Sequence, residues 1–205
     1  MSAPSTSLAS PPPLTRLYDL QLEQLTHDES FHKDVVILPL ADRIKHMALH
    51  NAKYVGYFVD AVDAGDDCRF QAVLTDAFII TLATANTLNQ NIGHALEAAG
   101  AQVTDLRSLS AALKNGPGRA VDGPFDFVKA YARAAGLLAK ACESWDHMED
   151  VPYVAIMRTT NIDLFKLIVA EAALRSLDLE ALFRTRLRFI ERRSIFHPTL
   201  SAGRS

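Results

Sequence analysis

Two stretches of this chain are apolar almost all the way round a helix, and they constrain the fold more than any other feature. One runs from Ala77 to Ala85, and the other runs from Leu164 to Leu174, interrupted only by Lys166 and Glu171. A helix that is exposed to solvent on one side needs only one apolar stripe. Because these two helices are apolar on nearly all sides, we expect other helices to cover them on several sides. The sequence therefore predicts two central helices, each packed inside a bundle.

The other periodic segments are also helical, because strand-like alternation is absent and Gly and Pro cluster at a few places. In the second half, a single helical face carries Phe127, Tyr131, Ala134, Ala135, Leu138 and Cys142. We expect an all-α bundle with helices at about 20–25, 39–64, 69–89, 92–99, 125–148, 154–174 and 179–193.

Two segments rich in Pro and Gly divide the chain. Residues 1–16 are rich in Ser and Pro and lack the apolar region of a secretory signal, so they are predicted to be a disordered tail. The segment 115–124 contains Asn115-Gly116-Pro117-Gly118 and Gly123-Pro124, which is typical of a linker. These boundaries leave two helical units, at residues 17–114 and 125–205.

The two units match each other when Asp76 is aligned with Asp163. A Gly precedes each Asp in the preceding long helix, at Gly56 and Gly136. A one-residue gap near Gln90 extends the match into the next helix. We interpret this as an internal duplication, with chance similarity of apolar helices as the alternative. The matched pairs are Phe78 with Phe165, Ala83 with Ala170, and Ala85 with Ala172.

Charge and cysteine content exclude several classes of protein. The formal net charge of −3 gives no indication of nucleic-acid binding. Cys68 and Cys142 are the only cysteines and form no CxxC pair, which favours a reducing, cytoplasmic compartment. No uninterrupted apolar run reaches about 18 residues, so no membrane-spanning segment is expected.

The first half carries an ordered series of short motifs. They are Val55–Val62, Gly65–Asp67, Leu74–Phe78, Asn86, Ile92 and Ala95–Leu96. The series resembles the MazG-like nucleotide pyrophosphohydrolases, a family that includes phosphoribosyl-ATP pyrophosphohydrolases and dimeric dUTPases. The resemblance covers about residues 41–96 and, more weakly, 127–198. It implies a MazG-like helical bundle with two tandem repeats forming an internal pseudo-dimer, from which a homo-oligomer could also be built.

The resemblance also implies magnesium chemistry on a nucleoside triphosphate. The family holds Mg²⁺ with carboxylates from an EExxE helix and an ExxD helix, because this hard cation binds oxygen. In the first half the EExxE positions fall on Lys53, Tyr54 and Tyr57, and ExxD keeps only its Asp, Asp76. In the second half the Glu positions fall on Arg133, Ala134, Leu137 and Thr160, and Asp163 is kept.

Two acidic residues remain as candidates for the catalytic and metal-binding roles, Asp60 and Asp76. Asp60 lies one turn beyond Tyr57 and is expected to face Asp76. The last helix of the family supplies basic residues for phosphate groups. The candidate substrate-binding residues are therefore Lys53, Tyr57, Arg188 and Arg192.

His46 and His50 lie four residues apart on one helix. They are either half-exposed surface histidines or, together with Asp60 or Asp76, part of a transition-metal site. The family chemistry predicts a pyrophosphohydrolase relative whose activity is weak or lost. The alternative is a non-catalytic module that binds a nucleotide or a protein, and the low number of carboxylates favours that alternative.

Overall fold

Within the described part of the chain, every regular element is an α-helix. The computed structural model describes residues 16–98, 105–115 and 123–196. No strand occurs in those ranges, so the predicted all-α fold is confirmed. The expected tail up to residue 15, linker residues 116–122 and the chain end after Phe196 lie outside the described residues. The helices are α1 Arg16–Phe31, α2 Lys33–Val36, α3 Leu40–Asp63, α4 Asp67–Thr87, α5 Ile92–Ala98, α6 Leu106–Asn115, α7 Pro124–Asp146, α8 Tyr153–Leu174 and α9 Leu179–Arg193.

The bounds of α3, α4, α7, α8 and α9 agree with the sequence prediction to about two residues, which is the usual uncertainty of helix ends. Helix α1 is much longer than predicted, at 16 residues. Its buried face carries Gln21, Gln24 and His27 besides Leu17 and Leu20. A search for apolar periodicity assigns those polar residues to solvent and therefore misses most of the helix. Helices α2 and α6 were not predicted.

Four long helices form the centre of the fold. Helix α3 packs on α4 and α7, and α8 packs on the same two helices, so the four close into a bundle. Phe58 is fully buried in the bundle, towards the end where α4 and α7 begin, and its ring centroid lies 5.0 Å from that of Phe70 and 5.1 Å from those of Phe127 and Tyr131. Rings at these separations pack edge-to-face or tilted, which is the favourable geometry for aromatic pairs.

Helices α4 and α8 are central, as predicted from their apolar surfaces. Helix α4 is buried along most of its length, from Phe70 to Ala85. By length and composition alone α4 is long and apolar enough to cross a membrane, but 72% of its apolar 18-residue segment is buried inside the protein. This burial is typical of a core helix, which passes the same test.

The C-terminal ends of α4 and α8 have the same backbone geometry. After α4 the N–H of Gln90 donates to the carbonyl of Ala85 at 2.8 Å, and after α8 the N–H of Leu177 donates to the carbonyl of Ala172 at 2.9 Å. Bonds of this kind close a helix over a left-handed residue. The matching atoms are 87 residues apart in sequence (172 − 85), as Asp76 and Asp163 are (163 − 76). The left-handed residues are Asn89, with φ 48°, and Ser176, with φ 57°.

The helices that follow these turns also begin alike. The side chain of Asn91 accepts a hydrogen bond from the N–H of His94 at 2.9 Å, and the side chain of Asp178 accepts one from Ala181 at 3.0 Å. These are N-caps, which satisfy a free N–H of the first turn. Their spacing is again 87 residues (178 − 91), so these two helix starts align without the one-residue gap predicted near Gln90.

Each central helix is covered from both halves of the chain. Helix α9 packs on α4, and α5 packs on α8, so the helix that follows each central helix crosses to the central helix of the other half. Helices α1 and α6 cover α4 and α8 from outside. The arrangement brings side chains of α9 onto the first half, where the candidate site residues lie.

Candidate functional site

Asp76 lies on α4 and is held by an arginine from the other half of the chain. The Nε of Arg186, on α9, donates to Oδ1 of Asp76 at 2.6 Å, and its Nη2 donates to Oδ2 at 2.8 Å. The Asp76 side chain is 23% exposed and that of Arg186 is 36% exposed. Two parallel charge-assisted bonds fix both partners, and the bond to Asp76 raises the pKa of Arg186. Both carboxylate oxygens of Asp76 are therefore engaged.

Asp60 lies near the end of α3, on a wetter part of the surface. Its Oδ2 accepts a hydrogen bond from Nη2 of Arg69 at 2.8 Å, and its side chain is 58% exposed. An exposed ion pair of this kind contributes little to stability, roughly 0–1 kcal/mol. Asp60 and Asp76 are thus held by different arginines. No hydrogen bond joins the two aspartates in the described structure.

Lys53 and Tyr57 lie on the α3 surface around Tyr54. The Nζ of Lys53 is 3.1 Å from Nδ1 of His50 and 4.9 Å from the Tyr54 ring centroid. Tyr57 is exposed, and the Arg69 guanidinium lies 5.8 Å from its ring centroid. Tyr54 is buried, and burial together with the nearby Asp76 carboxylate raises its pKa. Lys53 therefore places a positive charge beside His50, and it forms no ion pair with a carboxylate among the described residues.

The basic residues of α9 divide into two groups. Arg184 and Arg186 are used in ion pairs, the former with Glu23 of α1 at 3.1 Å and with Glu180 at 2.7 Å. Arg188 and Arg192 are exposed. Arg188 donates to the Thr185 hydroxyl at 3.3 Å and lines a cavity of about 440 Å³ between α1 and α9. The two arginines predicted to bind phosphate are therefore accessible to solvent.

His46 and His50 face each other on α3, with their Nε2 atoms 3.1 Å apart. Nδ1 of His50 is also 3.3 Å from the hydroxyl of Tyr54. Burial, reinforced by the Lys53 charge and by His46 and His32, lowers the pKa of His50 to about 4. His50 is therefore neutral at pH 7. The structure places the two histidines on a cavity of about 170 Å³ between α1, α2, α3 and α4, which Asp60 and Asp76 do not line.

Asp28 and His32 line that same cavity, and neither was predicted from the sequence as a site residue. With His27 they form a group whose ligand atoms lie within 4.8 Å of one another. The available signal was the spacing His27-Asp28-x₃-His32 at the end of a helix. Arg186 was visible only as one of several basic residues, because its partner Asp76 is 110 positions away in sequence.

Comparisons with known proteins add no further identification. No protein-family model matches the chain, and neither the curated proteins nor the solved structures include a significant match. The MazG-like resemblance therefore rests on the residues of this chain alone.

Proposed function

We propose that this chain is a divergent relative of the MazG-like nucleotide pyrophosphohydrolases that has lost magnesium-dependent hydrolysis. The single observation that carries the proposal is the ion pair between Asp76 and Arg186, whose bonds are 2.6 and 2.8 Å long. The proposal has two parts: the fold is an internal pseudo-dimer, and its inherited site now holds ion pairs.

The pseudo-dimer is supported by contacts between matching residues. In a two-fold pair, the residues nearest the axis contact their own counterparts. Phe78 and Phe165 are 87 positions apart (165 − 78), and their ring centroids are 5.6 Å apart. The Tyr131 hydroxyl donates to Oδ1 of Asn51, 80 positions away. That is also the spacing of Gly56 and Gly136 (136 − 56).

The packing of α5 and α9, the helices that follow α4 and α8, supports the same symmetry. The packing of α9 on α4 corresponds to the packing of α5 on α8, as a two-fold exchange requires. The turns after α4 and α8 keep the 87-residue spacing at both the helix end and the next N-cap. Duplication accounts for all of these features together, including the common 87-residue spacing, which chance similarity of apolar helices leaves unexplained.

The donor set around Asp76 does not fit Mg²⁺. That cation binds near-octahedrally to oxygen atoms and needs carboxylates that are free to coordinate. Both oxygens of Asp76 accept bonds from Arg186, and Asp60 pairs with Arg69. The guanidinium of Arg186 supplies a positive charge where the family places a metal. It offers no coordination site at which a water molecule could be activated.

The second half lacks the remaining carboxylates altogether. Its Glu positions are occupied by Arg133, Ala134, Leu137 and Thr160. Asp163 is exposed, and no ion pair holds it among the described residues. A single exposed carboxylate binds Mg²⁺ too weakly to organise a triphosphate for in-line attack.

A panel of NTPs and dNTPs, with Mg²⁺ or Mn²⁺ and a readout of released pyrophosphate, tests the proposal. We expect release by the wild-type protein at the level of the Asp76→Ala variant for every nucleotide. Asp163→Ala is the matched control, because it makes the same change in the other half. Turnover that is abolished by Asp76→Ala and retained by Asp163→Ala would contradict the loss of hydrolysis.

A second candidate function is nucleotide binding without hydrolysis, and it is favoured by one observation. Arg188 and Arg192 are exposed one turn apart on α9, and Arg188 lines the cavity against α1. Glu23 and Glu191 line the same cavity and oppose the binding of a triphosphate. Fluorescent ATP titrated without metal into wild type and Arg188→Ala/Arg192→Ala tests this candidate. Equal affinities for the two proteins would exclude it.

A further inference from the structure

His27 is a buried histidine with no hydrogen-bond partner. Its side chain is 3% exposed, and neither Nδ1 nor Nε2 has a partner within hydrogen-bond distance among the described residues. The nearest acidic atoms are Oδ1 of Asp28, 3.8 Å from Nδ1, and Oε1 of Glu191, 4.0 Å from Nε2. Both separations exceed a hydrogen bond. Buried polar groups are nearly always paired, so this ring requires an explanation.

His27 lies beside an aspartate and a second histidine, two residue types that commonly bind metals. The ligand atoms of His27, Asp28 and His32 lie within 4.8 Å of one another. Nitrogen and oxygen ligands about 2.1 Å from a tetrahedral metal lie roughly 3.4 Å apart. The Nδ1-to-Oδ1 separation of 3.8 Å is close to that distance. His32 and Asp28 are half-buried, so their side chains have more freedom to adjust around an ion than that of the buried His27.

One neighbouring group holds a ligand in orientation: the Nε2 of Gln24 donates to Oδ1 of Asp28 at 2.8 Å. A hydrogen bond to a ligating carboxylate is a usual support of a metal site, and so is a carboxylate behind a ligating histidine. Glu191 lies on that side of His27, 4.0 Å from Nε2, which is beyond hydrogen-bond distance. Arg43 donates to the carbonyls of Val36 and Leu38, which ties the segment after His32 to α3.

We propose that His27, Asp28 and His32 bind a first-row divalent transition metal of the Zn²⁺ type at the junction of α1 and α2. Two imidazoles and one carboxylate suit Zn²⁺, Co²⁺ or Ni²⁺, whereas Mg²⁺ and Ca²⁺ require oxygen ligands. Nδ1 of His27 faces Asp28 and is the ligating atom, since Nε2 faces Glu191. This site is independent of Asp76 and of the proposed loss of hydrolysis.

The site is built to leave part of the metal accessible. Three protein ligands leave at least one coordination position for water or a small ligand. Asp28 and His32 line the cavity of about 170 Å³, and His46 and His50 line its α3 side. An anionic or nitrogenous ligand of a few atoms fits that volume and reaches the metal from the α3 side.

The test uses the full chain, freed of metal with a chelator, and titrates Zn²⁺ against a chromophoric competitor. We expect one equivalent to bind, and we expect His32→Ala and Asp28→Asn each to weaken binding at least about 10- to 100-fold. His147→Ala is the matched control, because His147 is an exposed histidine at the far end of α7. Circular dichroism of each variant reports whether the helices are retained.

Two further measurements identify the ligands. Co²⁺ bound to the proposed site should give visible d–d bands without a thiolate charge-transfer band, because neither cysteine belongs to the site. His46→Ala/His50→Ala should keep the tight site. The proposal is overturned if wild type binds less than one saturable equivalent or if His32→Ala and Asp28→Asn bind like wild type. Loss of binding only in the His46/His50 variant, or a thiolate band, would also overturn it.

Discussion

The hairpins α3–α4 and α7–α8 each carry an aspartate that the sequence alignment pairs, Asp76 and Asp163, and the two have different surroundings. Asp76 bonds Arg186 through both oxygens, whereas Asp163 is exposed and no ion pair is found for it in the described ranges. Arg186 belongs to α9, which crosses to α4, and the residue 87 positions before it is Ala99, which carries no charge. Asp76 therefore fixes a contact between α4 and α9, and Asp163 makes no corresponding ion pair among the described residues.

The largest expected effect tests whether the two hairpins are equivalent in the core. Phe78 and Phe165 are both fully buried and contact each other. We expect Phe78→Ala and Phe165→Ala to lower the free energy of unfolding by similar amounts, about 3–5 kcal/mol each. The double variant should lose less than the sum, because the second substitution enlarges an existing cavity. Urea unfolding measures all three, and a cost below about 1 kcal/mol for either single variant would break the equivalence.

The next largest effect is a difference in stability between the variants of the two aspartates. Asp76→Ala leaves the Arg186 guanidinium without its carboxylate, so we expect a loss of about 1–2 kcal/mol in the free energy of unfolding. Asp163→Ala should change it by no more than about 0.5 kcal/mol. The gain in helix propensity is the same in both variants and cancels. Equal unfolding midpoints for the two variants would show that the Asp76 ion pair contributes nothing.

A pH-dependent effect is expected at His50, in the first half. His50 has a pKa of about 4 in the folded chain and an ordinary value near 6.5 when unfolded. The unfolded chain therefore binds more protons between these values, and stability is full above about pH 6.5 and falls as the pH drops towards 4. Because His50 is partly exposed, we expect a loss of about 1–2 kcal/mol rather than the full linkage value. The position 80 residues later is Ala130, which does not titrate.

Urea unfolding of wild type and His50→Gln between pH 4 and 7.5, with a chelator present, measures this contribution. The variant should show a flatter dependence on pH across that window. His94→Gln replaces an exposed histidine and should leave the wild-type slope unchanged. Parallel pH profiles for wild type and His50→Gln would show that burial of His50 does not destabilise the fold in acid.

The smallest effect compares the turns that close α3 and α7. Both contain a left-handed residue, Gly65 with φ 62° and Met148 with φ 50°. A left-handed side chain costs roughly 1 kcal/mol, so Gly65→Ala should destabilise by about that amount and Met148→Gly should stabilise by up to about the same. A Cβ at Gly65 meets no atom within 4 Å, so the cost is one of backbone conformation. Thermal unfolding of both variants checks the opposite signs.

Helices with apolar faces were predictable from the sequence, and long-range polar contacts were not. The bounds of α9 were predicted to the residue, because its cap and its apolar spacing are both local. Helix α6 was missed although Leu106 and Leu109 show helical spacing, since the segment is short and lies between Gly100 and the Gly- and Pro-rich segment that begins at Gly116. The polar residues on the buried face of α1 resemble a solvent-exposed surface in the sequence, and His27 was overlooked for that reason.

The candidate site shows the same division. The family resemblance singled out Asp60 and Asp76, and local spacing placed His46 beside His50. Their partners come from elsewhere: Arg186 is 110 positions from Asp76. One sequence contains no information on which arginine reaches a particular aspartate, because that depends on how α9 crosses α4.

A double-mutant cycle on Asp76 and Arg186 tests the central claim most directly. The free energies of unfolding of Asp76→Ala, Arg186→Ala and the double variant give the coupling between the two side chains. We predict a coupling of about 1–2 kcal/mol, the value expected for a half-buried, two-bond ion pair. A coupling near zero, with the two single costs adding simply, would mean that Arg186 does not hold the carboxylate. Asp76 would then be free to bind a metal, which would contradict the proposed replacement of the metal site by an ion pair.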